Sequence, residues 1–376
     1  MAGLLEYLEQ RTPDMVRLLQ SWVEAESPSD DKAAVDRFAA LVAAELERAG
    51  AQVAVLPQAK RGNHLLAKIG KGQQQLLVLG HMDTVWPLGT VAGPLPLRIA
   101  DGKLFGPGSF DMKGGLVQIV AALWAVRDLR LELSRKIVIL FNSDEEVGST
   151  TSQQSIEDQA RQSRYALVLE PAMPPNGALK TARKGVGEFE LRITGRAAHA
   201  GADPKGGLSA IEELARQVQY LHSLTDFECG TTVNVGVVSG GTRSNVIAAE
   251  ARAQVDLRVA TLAEAERVVP LILGTKSFTG AQVEVRGGLN RPPLERTQKI
   301  VAAFQKAQAL AAELGFQVDE AATGGGSDGN FTAALGVPTI DGLGPVGDKA
   351  HALGEHVVVS ELPRRAALLV RLWQQL

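Results

Sequence analysis

Cysteine is almost absent from this sequence: Cys229 is the only one in 376 residues. That shortage excludes an intrachain disulfide and a metal site built from several thiolates, and nothing demands an oxidising compartment. A charge excess is lacking too. Lysine and arginine number 39 against 42 aspartate and glutamate, for a net charge of −3. No electrostatic case remains for a nucleic-acid partner or an anionic membrane surface. Apolar runs stay well short of the ~20 residues that cross a bilayer. The opening MAGLLEYLEQRTPDM has neither a basic n-region nor a long apolar core, so no signal peptide is expected and the cytoplasm is the expected location. Internal repeats and low-complexity tracts are missing as well.

What is present is a globular composition, 45% hydrophobic and 22% charged, in a chain long enough for more than one domain. The stretch 75–85, QLLVLGHMDTV, organises it. Its first half reads as a buried strand closed by glycine. His81 and Asp83 follow, two apart, so both side chains can leave the strand end on one side. Imidazole and carboxylate at that point are either ligands and supports for a divalent cation such as zinc, or polar caps entering a turn.

Two more apolar strands end in acids. KIVILF at 136–141 runs into Asn142-Ser143-Asp144-Glu145-Glu146, and YALVLE at 165–170 closes on Glu170. The carboxyl ends of core strands are where open α/β sheets place their ligands. Between the first two strands, LFGPGSFDMKGG sets Asp111 among glycines at the mouth of an apolar helix, 116–126, either as a ligand or as a helix-capping acid. Earlier, residues 4–25 carry helical spacing, 29–50 form a second helix, and 52–57 and 64–69 are strands.

Residues 171–180, PAMPPNGALK, read as a linker. The stretch 181–287 then has its own rhythm: strand, helix, two strands, helix, strand, the split βαβ order of ferredoxin-like units. Domain boundaries are expected at 1–180 with 288–376 for one discontinuous domain and 181–287 for the insertion. The last part carries a helix at 298–314, the glycine-rich TGGGSDGN at 323–330, a short strand at 337–341, the segment KAHALGEHVVV, and a closing helix from 360. The glycine-rich loop lacks the GKS or GKT ending of a nucleotide-binding loop.

In order along the chain stand GHMDTVWP, GPGSFDMKGG, NSDEEVGS, LEP, AHAG, TGGGSDGN and HALGE. The set resembles the motifs of the M20 family of dinuclear zinc peptidases and amidohydrolases, nearest the bacterial glutamate carboxypeptidases, over nearly the whole chain. The resemblance implies an α/β catalytic domain with a mixed central sheet flanked by helices, plus an inserted ferredoxin-like α+β domain for dimerisation and lid closure. It implies two Zn2+ per subunit, with Co2+ or Mn2+ as substitutes. Asp111 would bridge the ions, His81 and Glu170 would complete one site, and Glu146 and His351 the other. His351 is preferred to His356 because three residues separate it from Glu355. Asp83 would orient His81, Glu145 would be the general base, and the Asp111–Met112 peptide would be cis. His199 would reach a partner subunit's site in a homodimer and donate a hydrogen bond to the oxyanion, with Asn245 as a matching polar contact. Lys184, Arg258 and Arg291 are candidates for a substrate carboxylate. Gly325, Gly326 and Ser327 would offer backbone N–H groups to it. The implied reaction is hydrolysis of an amide bond in a small peptide or N-acyl amino acid, releasing a C-terminal residue, glutamate by preference. Removal of an acyl group, as from acetylornithine or succinyl-diaminopimelate, is the alternative, and a non-catalytic binding protein on the same scaffold is a third reading. His64, His222 and Trp86 are expected to be ordinary packing residues.

Overall fold

Pro13 divides the first amphipathic run. In the computed structural model, which describes residues 2–376, the run forms two helices, Ala2–Gln10 and Thr12–Glu24, where periodicity alone predicts one. Proline lacks the N–H that a continuing helix needs, but in a first turn that donor has no intrahelical partner anyway. The next helix, Lys32–Arg48, starts where the Asp31 carboxylate accepts the amide of Ala34 at 2.9 Å.

The described residues form two compact units. The larger comprises residues 2–182, Arg296–Ala322 and Ser327–Leu376. Its main sheet has six strands in the order Gln52–Leu56, His64–Ile69, Lys136–Asn142, Gln75–His81, Ser163–Val168 and Thr339–Ile340. The first two are antiparallel to their neighbours, and the other four run parallel. The central strands Gln75–His81 and Lys136–Asn142 are covered on both faces, which is why they read as continuous apolar runs. Leu76 and Val78 face the helix Gly114–Asp128, which is buried along nearly its whole length and packs on the closing helix Glu361–Gln375. Leu77 and Leu79 face the other way, onto Ile156, Ala160 and Phe331. Three parallel strands therefore end side by side, with His81 paired to Asn142 and Leu79 to Val168.

A small four-stranded sheet in the same unit orders Gly347–Asp348, His356–Val358, Lys103–Phe105 and Arg98–Ala100. It brings the final histidine segment beside the Asp111 turn, and none of its short strands carries enough period to be read from sequence. The supposed linker at 171–180 is instead a tight turn, with amide–carbonyl bonds between Met173 and Ala178 and a buried Leu179.

The smaller unit spans Arg183–Glu295 with Thr323–Gly326. Its sheet runs Thr232–Gly240, Glu250–Val259, Gly185–Thr194, Gln282–Arg291, all antiparallel, with helices Ala210–Ser223 and Leu262–Leu273 between strands in sequence. This is the ferredoxin-like order. Phe189, Leu191, Val255 and Leu257 pack against Leu214, Leu221, Val268 and Ile272 from the two helices. No described helix is long and apolar enough to cross a membrane.

Candidate metal centre

Four carboxylates and two imidazoles meet at the strand ends of the larger unit. His81 is the last residue of its strand and fully buried. Its Nε2 lies 3.1 Å from Asp111 Oδ1 and 3.5 Å from Glu170 Oε1. On the other side, His351 Nε2 lies 3.2 Å from Asp111 Oδ2 and 3.2 Å from Glu146 Oε2. Asp111 thus turns one oxygen to each histidine. Ligands 2.0 Å from a tetrahedral ion are separated by about 3.3 Å, close to these spacings. Glu146 Oε1 is buried without a hydrogen-bond partner, an acceptor left for a cation. The donor set, nitrogen with carboxylate oxygen and no sulfur, suits two divalent ions such as zinc.

Local structure aims each ligand. Asp111 lies in the tight turn Ser109–Lys113, and its peptide to Met112 is cis. Gly108 enters this turn at φ 68°, and a Cβ there would lie 2.6 Å from Thr84 Cγ2, so only glycine fits. Glu170 stands just past its strand, and its carbonyl accepts the amide of Gly344 at 2.9 Å. His351 adopts φ 58°, a left-handed backbone uncommon outside glycine. His356 instead lies in a strand, bonds Gly354 O through Nδ1 and packs on Phe105.

Electrostatics favours filling the site with positive charge. Burial alone would lower the His81 pKa, but the Asp111 and Glu170 carboxylates outweigh it and raise it well above 6.5. Hydrogen bonds to Asp111 and Glu146 push His351 up to about 11. Asp111, despite its burial, is held far below the carboxylate range by His351 and His81. Burial pushes Glu146 up to about 7. A divalent cation among these carboxylates would supply the positive charge that they favour.

Glu145 joins His81 and Glu170 in a cluster whose ligand atoms lie within 4.8 Å of one another. It is partly exposed. Asp83 does more than orient His81. The ring Nδ1 bonds the Asp83 backbone carbonyl at 2.9 Å, while the carboxylate lies 3.6 Å away. That carboxylate accepts the amides of Glu145 and Glu146, each at 3.2 Å, and the Ser29 hydroxyl at 2.7 Å.

Three supporting residues escaped the sequence reading. Asp144, first of the three acids, is buried and accepts from Thr151 and Ser152, so it shapes the loop. Asp328, inside the glycine-rich loop, accepts from Asn142 at 2.7 Å and Ser149 at 2.5 Å. An acid within a glycine run was the available signal. Trp86 donates its indole N–H to Glu355 at 2.6 Å. His64 is a buried strand residue between Thr151 and Ser143, and burial lowers its pKa. His222 lies on a helix, its Nε2 accepting the Val235 amide at 3.4 Å.

The remaining candidates lie in the smaller unit, except Ser327. Arg183 donates to the carbonyls of Gly325 and Gly326 at 3.2 and 3.0 Å, and Arg258 to that of Gly324 at 3.4 Å while paired with Asp256. The Lys184 amide bonds Thr323 O, and a Cβ on Gly326 would sit 3.0 Å from Arg291 Cδ. Basic side chains thus gather around 323–326. Ser327 is turned inward: its hydroxyl donates to Asp341 and its amide to Asn330 Oδ1. His199 and Asn245 are exposed neighbours, joined through a bond from the Ala200 amide to Asn245 O. The amides of Gly201 and Ala202 donate to His199 Nδ1 at 3.1 and 3.0 Å, which puts the proton on Nε2 and makes that edge a donor.

Comparison with known proteins agrees with this architecture. The family model described as Peptidase family M20/M25/M40 matches residues 77–375. Carboxypeptidase G2 of Pseudomonas sp. (strain RS-16) is 30% identical over 377 residues, covering 98% of this chain and 91% of that protein. Acetylornithine deacetylase of Myxococcus xanthus is 30% identical over 347 residues, covering 87% and 85%. Among solved structures, the aminopeptidase PepT of Bacillus cereus superposes with a TM-score of 0.78 at 21% identity, covering 96% of this chain and 98% of that one.

Proposed function

The chain belongs to peptidase family M20/M25/M40, and on that premise we propose that it uses two zinc ions to hydrolyse the amide bond before a C-terminal amino acid, glutamate by preference, in a peptide or N-acyl donor. The observation that carries this reading is the division of Asp111 between His81 and His351, with Glu145 beside the same cluster. His81, Asp111 and Glu170 would hold one ion, and His351, Asp111 and Glu146 the other. When bound, the ions would acidify a water and polarise the scissile carbonyl.

Proton movement falls to the chain. Glu145 takes a proton from the attacking water as its oxygen bonds the carbonyl carbon, then gives that proton to the leaving nitrogen as the C–N bond breaks. The Nε2–H of His199 is the donor for the developing oxyanion, supplied to a partner subunit in a homodimer built through the smaller unit. Asn245 lies beside it as a second polar contact. The basic residues around 323–326, the side chains of Arg258 and Arg291 and the backbone-anchored Lys184 among them, support binding of a free substrate carboxylate, as does the Gly325–Gly326 backbone.

A hydrolysis panel tests the substrate. The zinc-loaded protein is offered N-acylated amino acids in which the C-terminal residue and the acyl group are varied separately. Glutamate is expected to lead, with broad tolerance of the acyl group. A rate governed by the acyl group and indifferent to the amino acid would replace this reading with deacylation, the activity named for the Myxococcus relative. No hydrolysis of any member would leave only a binding role.

A further inference from the structure

Glu355 closes the HALGE stretch as a buried carboxylate. Its Oε2 accepts the indole N–H of Trp86 at 2.6 Å and the amide of Gly108 at 3.1 Å. Its Oε1 accepts the amides of Phe110 at 2.9 Å and Asp111 at 3.0 Å. Its own backbone carbonyl takes the amide of Gly106 at 3.2 Å. Three segments that are remote in sequence are therefore tied at one side chain: the one after His81, the Asp111 turn and the His351 turn. Burying an acid is costly even when it is hydrogen-bonded, and burial pushes this carboxyl up to about 7. Only an acceptor-only carboxylate can take all four donors, so the acid's presence is explained by what it holds in place.

The two halves of the metal centre are supported unequally. His81 ends a central strand, and Glu170 lies two residues beyond another, so the sheet fixes them. His351 is exposed, in a left-handed backbone, between the two-residue strand Gly347–Asp348 and the three-residue strand His356–Val358. Asp111 sits in a turn whose consecutive amides of Phe110 and Asp111 both point at Glu355.

We propose that Glu355 is a positioning residue for the second cation site, because it joins the turn bearing Asp111 to the turn bearing His351 and so sets the 3.2 Å separation between Asp111 Oδ2 and His351 Nε2. This rests on the two-cation reading of the site and goes beyond it by naming what holds one ion's ligands in register. Four N–H donors fill both carboxylate oxygens, a pattern that glutamine cannot reproduce.

Zinc titration of metal-free protein against a chromophoric chelator tests the proposal, with metal-free melting temperature measured in parallel. The proteins compared are wild type, Glu355→Gln and Trp86→Phe. Wild type is expected to take two ions; uptake of one would end the two-cation reading itself, independently of the variants. Glu355→Gln should leave one ion at wild-type affinity and weaken the other roughly ten- to hundredfold, the range found when supports of metal ligands are removed. Trp86→Phe removes one donor and leaves the three amide bonds, so it should weaken the same site by less. Unchanged affinities for both ions in Glu355→Gln would overturn the proposal. So would an equal loss at both sites accompanied by a lower metal-free melting temperature, which would mark a general folding role. If Glu355→Gln does not fold, Trp86→Phe decides: selective weakening supports the proposal, and two wild-type affinities overturn it.

Discussion

Asp83 Oδ1 accepts the backbone amide of Glu145 at 3.2 Å. Its other oxygen takes the amide of Glu146 at 3.2 Å and the hydroxyl of Ser29 at 2.7 Å. One buried acid thus fixes the loop that carries both the proposed base and a proposed ligand. Asparagine would set its NH2 against one of these donors. We expect Asp83→Asn to lower kcat/KM roughly ten- to hundredfold. Steady-state kinetics with metal analysis checks it, and wild-type kinetics would show that the loop keeps its shape without Asp83.

Glu145 and Glu146 are neighbours with different surroundings. Glu146 faces His351 at 3.2 Å, whereas Glu145 clusters with His81 and Glu170. Glu145→Gln is expected to retain both ions and lose roughly 10²–10⁴ in kcat, the usual range for a general base. Glu146→Gln is expected to lose one ion. Metal content and kcat measured on both variants separate the roles, and the opposite pattern would exchange them.

His199 presents Nε2–H outward because two backbone amides occupy Nδ1. If that donor serves a partner's site, His199→Ala and Glu145→Gln will each be nearly inactive alone. Mixed under exchanging conditions, they form heterodimers with one doubly defective site and one intact site. Activity within those heterodimers should approach half of wild type. A mixture that stays inactive while labelled subunits exchange would remove His199 from the partner's site.

Glu213 is expected to contribute to acid stability in the smaller unit. Burial alone would raise its pKa, but hydrogen bonds from Gln217, Thr279 and the amides of Phe278 and Thr279 outweigh it and bring it from 4.5 down to about 2. A depressed carboxyl contributes stability that is fully present above 4.5 and is lost as pH falls toward 2. The shift corresponds to at most ~3 kcal/mol. Glu213→Gln should therefore destabilise the protein at pH 7 by up to that amount and by progressively less below pH 4.5. Urea unfolding of both proteins across this range checks the sign, and a gap that widens on acidification would contradict it.

The sequence by itself determined the strands and what stands at their ends. A fully buried strand must be apolar along its length, so the abrupt arrival of His81, Asn142 with its acids, and Glu170 was visible without a fold. The ferredoxin-like order of the smaller unit was visible for the same reason, since period 2 and period 3.6 are local properties. Tertiary structure alone decided which of three consecutive acids turns inward: Asp144 is held by Thr151 and Ser152, while Glu145 and Glu146 are fixed through their amides by Asp83. It also decided that Ser327 gives its hydroxyl to Asp341, and that Glu355 gathers donors from Trp86 and from the turn 108–111. Periodicity records which face of an element is buried. It carries no record of which distant donor a buried acid will meet, because that partner is set by how remote segments pack, and hydrogen bonds between them leave no repeat in the chain.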